Sequence, residues 1–165
     1  MTPHNDDWAV WLERHGRAML LLARQWANVR SDAEDIVQEA FLRFWRSRGK
    51  ADDSAAYLYV CVRNCALDFR RGQLRRENRE RAAARPELAE WFTAPNAQQE
   101  RQDQIECSLR ELPEAQREVV VLKLWGRLSF DQIAQALSVS ANTAASRYRY
   151  ALEKLRAELA PERVP

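Results

Sequence analysis

"LSFDQIAQALSVSANTAASRYRYALEKLRAEL", residues 128–159, decides the fold. It holds two helical patterns separated by a short turn. Ser129 is followed three residues later by Gln132, the spacing of a reciprocal helix cap. Ile133, Ala134 and Leu137 then fall on one helical face. A turn is expected around Ser138 to Ser140, with Ser140 capping the next helix. Ala144, Tyr148, Leu152 and Leu155 recur at three- and four-residue spacing and form its inward face. A short helix, a tight turn and a longer helix make the helix-turn-helix pattern, with a plain helical hairpin as the alternative. Under the first reading, Asn142, Thr143, Ser146, Arg147 and Arg149 occupy the opening turns of the second helix. That end enters the major groove, where such side chains meet base edges and phosphates.

Immediately upstream, "CSLRELPEAQREVVVLKLW" (107–125) carries Leu109, Leu112, Val119, Val120, Leu122 and Leu124, with Pro113 near a helix start. Gly126 is expected to end that helix. Further back, the stretch from about Ala82 to Gln104 includes two prolines and a polar tail and reads as a linker, part of which is compatible with helix. Trp91 and Phe92 would be unusual in a free linker and suggest that it docks on something. Only four glycines in 165 residues, with abundant Ala, Leu, Arg and Glu, point to an all-helical protein.

The first half continues this pattern. From Asp6 to Val29, Trp8, Val10, Trp11, Met19, Leu22 and Trp26 recur at helical spacing, with Gly16 as an expected break. "SDAEDIVQEAFLRFWRSR" (31–48) opens with Asp32, Glu34, Asp35 and Glu39 and closes with Arg43, Arg46 and Arg48. Ser31 and Glu34 have capping-box spacing, and acids early with arginines late suit the helix dipole. Ala33, Ile36, Val37, Ala40, Phe41, Phe44 and Trp45 form its apolar stripe. The dipole does not account for Asp35, Gln38 and Glu39, which share a second flank with Leu42. That flank is either a solvated face or a docking face. After a loop over 47–54, a long helix starts near Ser54, with Leu58, Cys61, Val62, Cys65, Leu67 and Phe69 on its apolar side. Its polar side carries Arg63, Asn64, Arg70, Arg71, Arg75 and Arg76.

The net charge of +2 hides an asymmetry. Residues 43–85 hold twelve Arg/Lys against five Asp/Glu, and residues 86–118 hold three against eight. A basic block beside an acidic one fits a nucleic-acid-binding module followed by a linker, and also fits a merely solvated basic helix. No run of about 18 apolar residues is present, so no membrane span is expected, and the acidic N-terminus lacks a signal pattern. A cytoplasmic protein is the expectation. Cys61 and Cys65 share a helix face and read as buried cysteines; a metal site would need more ligands than His4, His15 and Cys107 supply at their spacing. No nucleophile motif or glycine-rich phosphate loop is found, which points away from an enzyme and from a bound cofactor.

At this point three segments, in order, resemble a known family: the extracytoplasmic-function group of bacterial RNA polymerase sigma factors. "DAEDIVQEAFLRFWR" is similar to its polymerase-docking segment, "AAYLYVCVRNCALDFRR" to its downstream-promoter helix, and residues 109–156 to its upstream-promoter domain. The resemblance implies an all-α fold of two small helical domains joined by a linker, the second containing the helix-turn-helix. The expected boundaries are 1–78, 79–105 for the linker, and 106–165. It implies that Asp35, Gln38, Glu39 and Leu42 contact the β′ coiled coil of core RNA polymerase, with the β flap a further contact. Promoter opening would use the loop from Gly49 to Ala55, including Lys50, together with Tyr57, Tyr59, Arg63, Asn64, Asp68 and Arg71. There a base leaves the stack and basic and aromatic side chains hold the single strand. Promoter DNA and core polymerase are thus the implied partners, with an anti-sigma protein as a further one and no membrane insertion. Four positions depart from the family. Its Thr-Val-Lys-Ser-Arg reads Thr143-Ala144-Ala145-Ser146-Arg147, Tyr57 stands where Trp is frequent, and the turn glycine is Ser138. A helix-turn-helix regulator acting without polymerase, and an adaptor that docks protein but has lost DNA binding, are the competing readings.

Overall fold

The computed structural model describes residues 7–80 and 97–160. All seven longer elements among them are α-helices: α1 (Asp7–Ala23), α2 (Arg30–Ser47), α3 (Ser54–Glu80), α4 (Ala97–Glu111), α5 (Glu114–Leu124), α6 (Phe130–Leu137) and α7 (Ala141–Leu159). A single 3-10 turn, Arg48–Lys50, joins α2 towards α3. The chain divides into two compact units, residues 1–91 and 92–165. Of the linker expected over 79–105, residues 79–80 close α3 and 97–105 belong to α4. The remaining stretch, with Trp91 and Phe92, lies outside the described residues, as does His4.

In the first unit α1, α2 and α3 pack around a shared core. Ala18, Met19 and Leu22 come from α1, Ala33, Ile36, Ala40 and Phe44 from α2, and Ala56, Leu58, Val62 and Ala66 from α3. Alanines at Ala33, Ala40, Ala56 and Ala66 let the helix backbones approach closely around the fully buried Phe44 ring. Deleting a buried ring of this kind costs about 3–5 kcal/mol. Trp11 lies 5.0 Å from Phe44, and Tyr57 6.2 Å from it on the opposite side of the sequence, so one aromatic ring links all three helices.

Several expectations are corrected here. Gly16 does not break the first helix; α1 runs through it, and a methyl group there would meet only Leu12 at 3.8 Å. Burial of Ala18, Met19 and Leu22 outweighs the roughly 1 kcal/mol that a helix-interior glycine costs. Trp8 and Val10 are exposed, 41% and 52%, so the core begins one turn later. Ser31 lies inside α2 rather than ahead of it: the Ala33 N–H donates to the Val29 carbonyl at 3.2 Å, and Glu34 pairs with Arg30 at 2.9 Å. Asp53 caps α3, its Oδ1 accepting from the Ala56 N–H at 3.0 Å.

The second unit is built around α5, whose Val119, Val120, Val121 and Leu122 are all fully buried. Four consecutive buried residues require neighbours on every side, and α4, α6 and α7 supply them. Pro113 precedes the helix as its N-cap, with its carbonyl accepting from the Gln116 and Arg117 N–H groups. At the other end Gly126 keeps an ordinary backbone, and the left-handed residue is its neighbour Arg127 (φ 54°). The α6 cap forms as read: the Gln132 N–H donates to Ser129 Oγ at 3.1 Å, and the Ser129 N–H donates to Gln132 Oε1 at 2.8 Å. Ser138, standing where the resembling family has glycine, adopts φ 55° and ends α6. Within α6 the buried set is Ile133, Ala136 and Leu137, with Ala134 only half-buried.

Candidate nucleic-acid interface

Three surfaces carry the residues singled out from the sequence. The first is the flank of α2. Its apolar stripe turns inward on Ala33, Ile36, Ala40 and Phe44, which leaves Asp35, Gln38, Glu39 and Leu42 together on the outside, all exposed. Leu42 is 52% exposed, an apolar side chain held in water one turn beyond Gln38 and Glu39.

The second surface adjoins the first. Glu39 accepts from Arg43 Nε at 2.8 Å, the other side of Arg43 lies 3.5 Å from Asp68, and Asp68 lies 3.7 Å from Arg71. This chain of alternating charge crosses from α2 to α3. All its members are largely solvated, so each pair contributes only about 0–1 kcal/mol and a charged partner can replace it. On α3, Tyr57, Asn64, Asp68 and Arg71 fall within about 60° of one another around the helix. Asn64, Asp68 and Arg71 are exposed and Tyr57 is half-buried. Lys50 is exposed in the turn that leads into this helix. Arg63 sits about a quarter turn away, half-buried and already engaged within the protein.

Tyr59 is the one member of the set that the structure removes. It points to the opposite side of α3, is 1% exposed, and its hydroxyl meets His15 Nδ1 at 2.8 Å. A ring so enclosed cannot stack on a base; it is a core residue. Its partner His15 stacks on Trp11 at 5.0 Å and is also buried. Burial first, then the nearby Arg14 charge, lowers the His15 pKa from 6.5 to about 4, so the imidazole is neutral at ordinary pH. Cys61 and Cys65 are also buried, and burial pushes the Cys65 thiol up to about 11. Among the described residues no group of three or more His, Cys, Asp and Glu side chains could hold a metal ion, and no helix is long and apolar enough to cross a membrane.

The third surface is the start of α7. Ser140 caps it, accepting from the Thr143 N–H at 3.0 Å, and the two hydroxyls lie 2.8 Å apart. Thr143 is therefore part of the cap as well as of the candidate surface. Ala144 and Ala151 face the core with no exposed area, and Tyr148 packs edge-on against Phe130 at 5.6 Å. The opposite side of the helix presents Asn142, Ser146 and Arg149, with Arg149 over the Tyr150 ring at 5.2 Å. Arg147 is half-buried and lies on the flank of that face, and Ala145 borders its other edge. The structure thus brings Asn142, Ser146 and Arg149 together and sets Arg147 to one side. The charge chain from Glu39 to Arg71 and the His15–Tyr59 pair were missed by the sequence. The Glu39–Arg43 and Asp68–Arg71 spacings could have revealed the two ends of the first.

Comparison with known proteins covers both units. Residues 11–76 match the model of sigma-70 region 2, and residues 102–155 match that of sigma-70 region 4. The chain is 29% identical over 161 residues to the RNA polymerase sigma factor NccH of Alcaligenes xylosoxydans xylosoxydans, spanning 93% of this chain and 87% of that one. It is 32% identical to the ECF RNA polymerase sigma factor SigK of Mycobacterium ulcerans, over 79% of this chain and 75% of that one. The fold is shared with the sigma factor RpoE of Bartonella quintana, solved in complex with the anti-sigma factor NepR. That match has a TM-score of 0.70 and 20% identity over 96% of this chain and 99% of that one.

Proposed function

Because the chain belongs to the extracytoplasmic-function group of RNA polymerase sigma factors, we propose that its three surfaces divide promoter-specific transcription initiation between them. The α2 flank of Asp35, Gln38, Glu39 and Leu42 docks on the β′ coiled coil of core polymerase. The α3 face of Tyr57, Asn64, Asp68 and Arg71, with Lys50 and the loop before it, holds and opens the downstream promoter element. Arg63 contributes charge at the border of that face. The start of α7, through Asn142, Thr143, Ser146, Arg147 and Arg149, reads the upstream element in duplex form, while the second unit meets the β flap. RNA synthesis itself belongs to the polymerase, in the cytoplasm. An anti-sigma protein, of the kind that holds the related RpoE, is the natural restraint on such a chain.

The observation that carries this reading is the exposed flank of Asp35, Gln38, Glu39 and Leu42, which is linked to α3 through Arg43 and Asp68. A regulator acting on duplex DNA alone would leave that flank without a use. Opposite charges in reach of a partner steer association and specify it. On α3, an exposed amide, the Arg71 cation and an aromatic ring on one face suit a displaced single strand, where bases stack and phosphates are neutralised, while Asp68 lies between Arg43 and Arg71.

Strand opening should depend on α3 more than docking does. Asn64→Ala removes an exposed side chain and leaves the core intact. Deleting Ala51 and Asp52 shortens the loop yet spares Asp53, whose carboxylate caps α3. Each change is expected to reduce permanganate reactivity of promoter thymines in the polymerase complex while polymerase binding stays near that of the parent chain. An equal loss of binding and opening would remove the opening role from this face.

A further inference from the structure

Two non-glycine residues of the described backbone lie in the left-handed region, and they sit at the two ends of α6: Arg127 (φ 54°) and Ser138 (φ 55°). L-residues rarely adopt this conformation, because Cβ crowds the following carbonyl. Ser138 makes the tight turn into α7. Arg127 makes the corresponding turn out of α5, next to Gly126, which keeps an ordinary backbone.

The turn around Arg127 is fixed on both sides. The Gly126 N–H donates to the Val121 carbonyl at 3.1 Å, and the Leu128 N–H donates to the Leu122 carbonyl at 3.2 Å. Gly126 and Leu128 are buried, whereas Arg127 is exposed. The other cation nearby, Lys123, is used internally: its Nζ donates to the Leu128 carbonyl at 3.2 Å and lies over the Phe130 ring. Among the described residues the Arg127 guanidinium has no hydrogen bond, ion pair or ring contact. A rigid, strained turn therefore projects one unpaired cation two residues ahead of the capped N-terminus of α6. In a helix-turn-helix the first helix crosses the DNA backbone while the second enters the major groove. The start of the first helix also carries the positive end of its dipole.

We infer that Arg127 is a phosphate contact for duplex DNA, held by the turn before α6 so that it clamps the backbone beside the groove that α7 reads. This rests on α7 being the reading helix. A contact of this kind fixes position and adds affinity without reading sequence. The turn out of α5 needs a left-handed residue, which glycine supplies at less cost, so the arginine side chain is retained here for its charge.

The test titrates a random-sequence DNA duplex with the full chain at several salt concentrations, comparing Arg127→Gly, Arg127→Lys, Ser138→Gly and Arg149→Ala. Both glycine variants relieve the backbone and should melt higher, by about 4 °C. Arg127→Gly should bind about tenfold more weakly, with the slope of log affinity against log salt reduced by about 0.9. Arg127→Lys should keep that slope, and Ser138→Gly should bind like the parent chain. If Arg127→Gly binds normally while Arg149→Ala is weakened, Arg127 makes no phosphate contact although α7 still meets DNA. If Ser138→Gly weakens binding as much, or the salt slope does not change, the effect comes from the shape of the turn and the inference is overturned. If neither arginine variant weakens binding, the reading of α7 fails first and this inference with it.

Discussion

The double substitution Asp35→Arg with Glu39→Arg is expected to abolish co-elution of the chain with core RNA polymerase while leaving its helicity unchanged. Both side chains are exposed on α2, and the buried stripe of that helix does not include them. Inside the protein the change removes only the solvated Glu39–Arg43 pair, worth about 0.3–0.5 kcal/mol, and sets a cation beside Arg43 at a similar cost. At an interface, reversing two charges that face a basic partner costs about 2–5 kcal/mol, which is at least about thirtyfold in affinity. Leu42→Ala is expected to act in the same direction with a smaller loss, since it takes away the exposed apolar side chain of the flank. Size-exclusion chromatography with purified core polymerase, alongside circular dichroism of the free variants, reads both quantities. Normal co-elution would show that polymerase docks elsewhere. A loss of helicity would show that these carboxylates hold the fold.

Acid should destabilise the first unit through His15. Its pKa in the folded chain is lowered from 6.5 to about 4, chiefly by burial and then by the Arg14 charge. The folded state therefore keeps the neutral ring, which shares a hydrogen bond with the Tyr59 hydroxyl. Above the unfolded value of 6.5 neither state takes up the proton and the full stability is present. As pH falls from there towards 4, the unfolded chain gains a proton that the folded chain resists, and stability drops by up to about 3 kcal/mol. His15→Gln keeps a polar partner for Tyr59 without a titrating group. It should flatten this part of the stability profile, measured by urea unfolding from about pH 7 down to about pH 4. Parallel profiles for the two chains would mean that other groups cause the acid loss.

The parts of the fold that were legible in the sequence are those settled locally. Ser129 with Gln132, and Ser140 with Thr143, are three residues apart, and their caps form between near neighbours. The inward stripe of α2 was legible for the same reason, and the exposed flank of Asp35, Gln38, Glu39 and Leu42 followed by subtraction. What escaped depends on distant partners. Tyr59 reads as one more aromatic near a basic helix, but His15, 44 residues away, draws it into the core. Residues 97–105 look like linker because their composition is polar, and among the described residues the buried apolar side chains come later, at Leu109 near the end of α4 and Leu112 just beyond it. Gly126 looks like the turn residue after α5, yet the hydrogen bonds from Gly126 and Leu128 back into that helix place the left-handed backbone on Arg127. In each case the pattern along the chain named a plausible local answer and the packing chose another.

The central claim is that this chain turns core RNA polymerase into a promoter-specific enzyme. Its most direct test is in vitro transcription, with purified chain, core polymerase and DNA taken from upstream of the chain's own operon. The expected result is a discrete transcript that requires the chain, is absent with core polymerase alone, and is lost with Asp35→Arg and Glu39→Arg together. Absence of that transcript, from a chain that binds the same duplex as a dimer without polymerase, would contradict it.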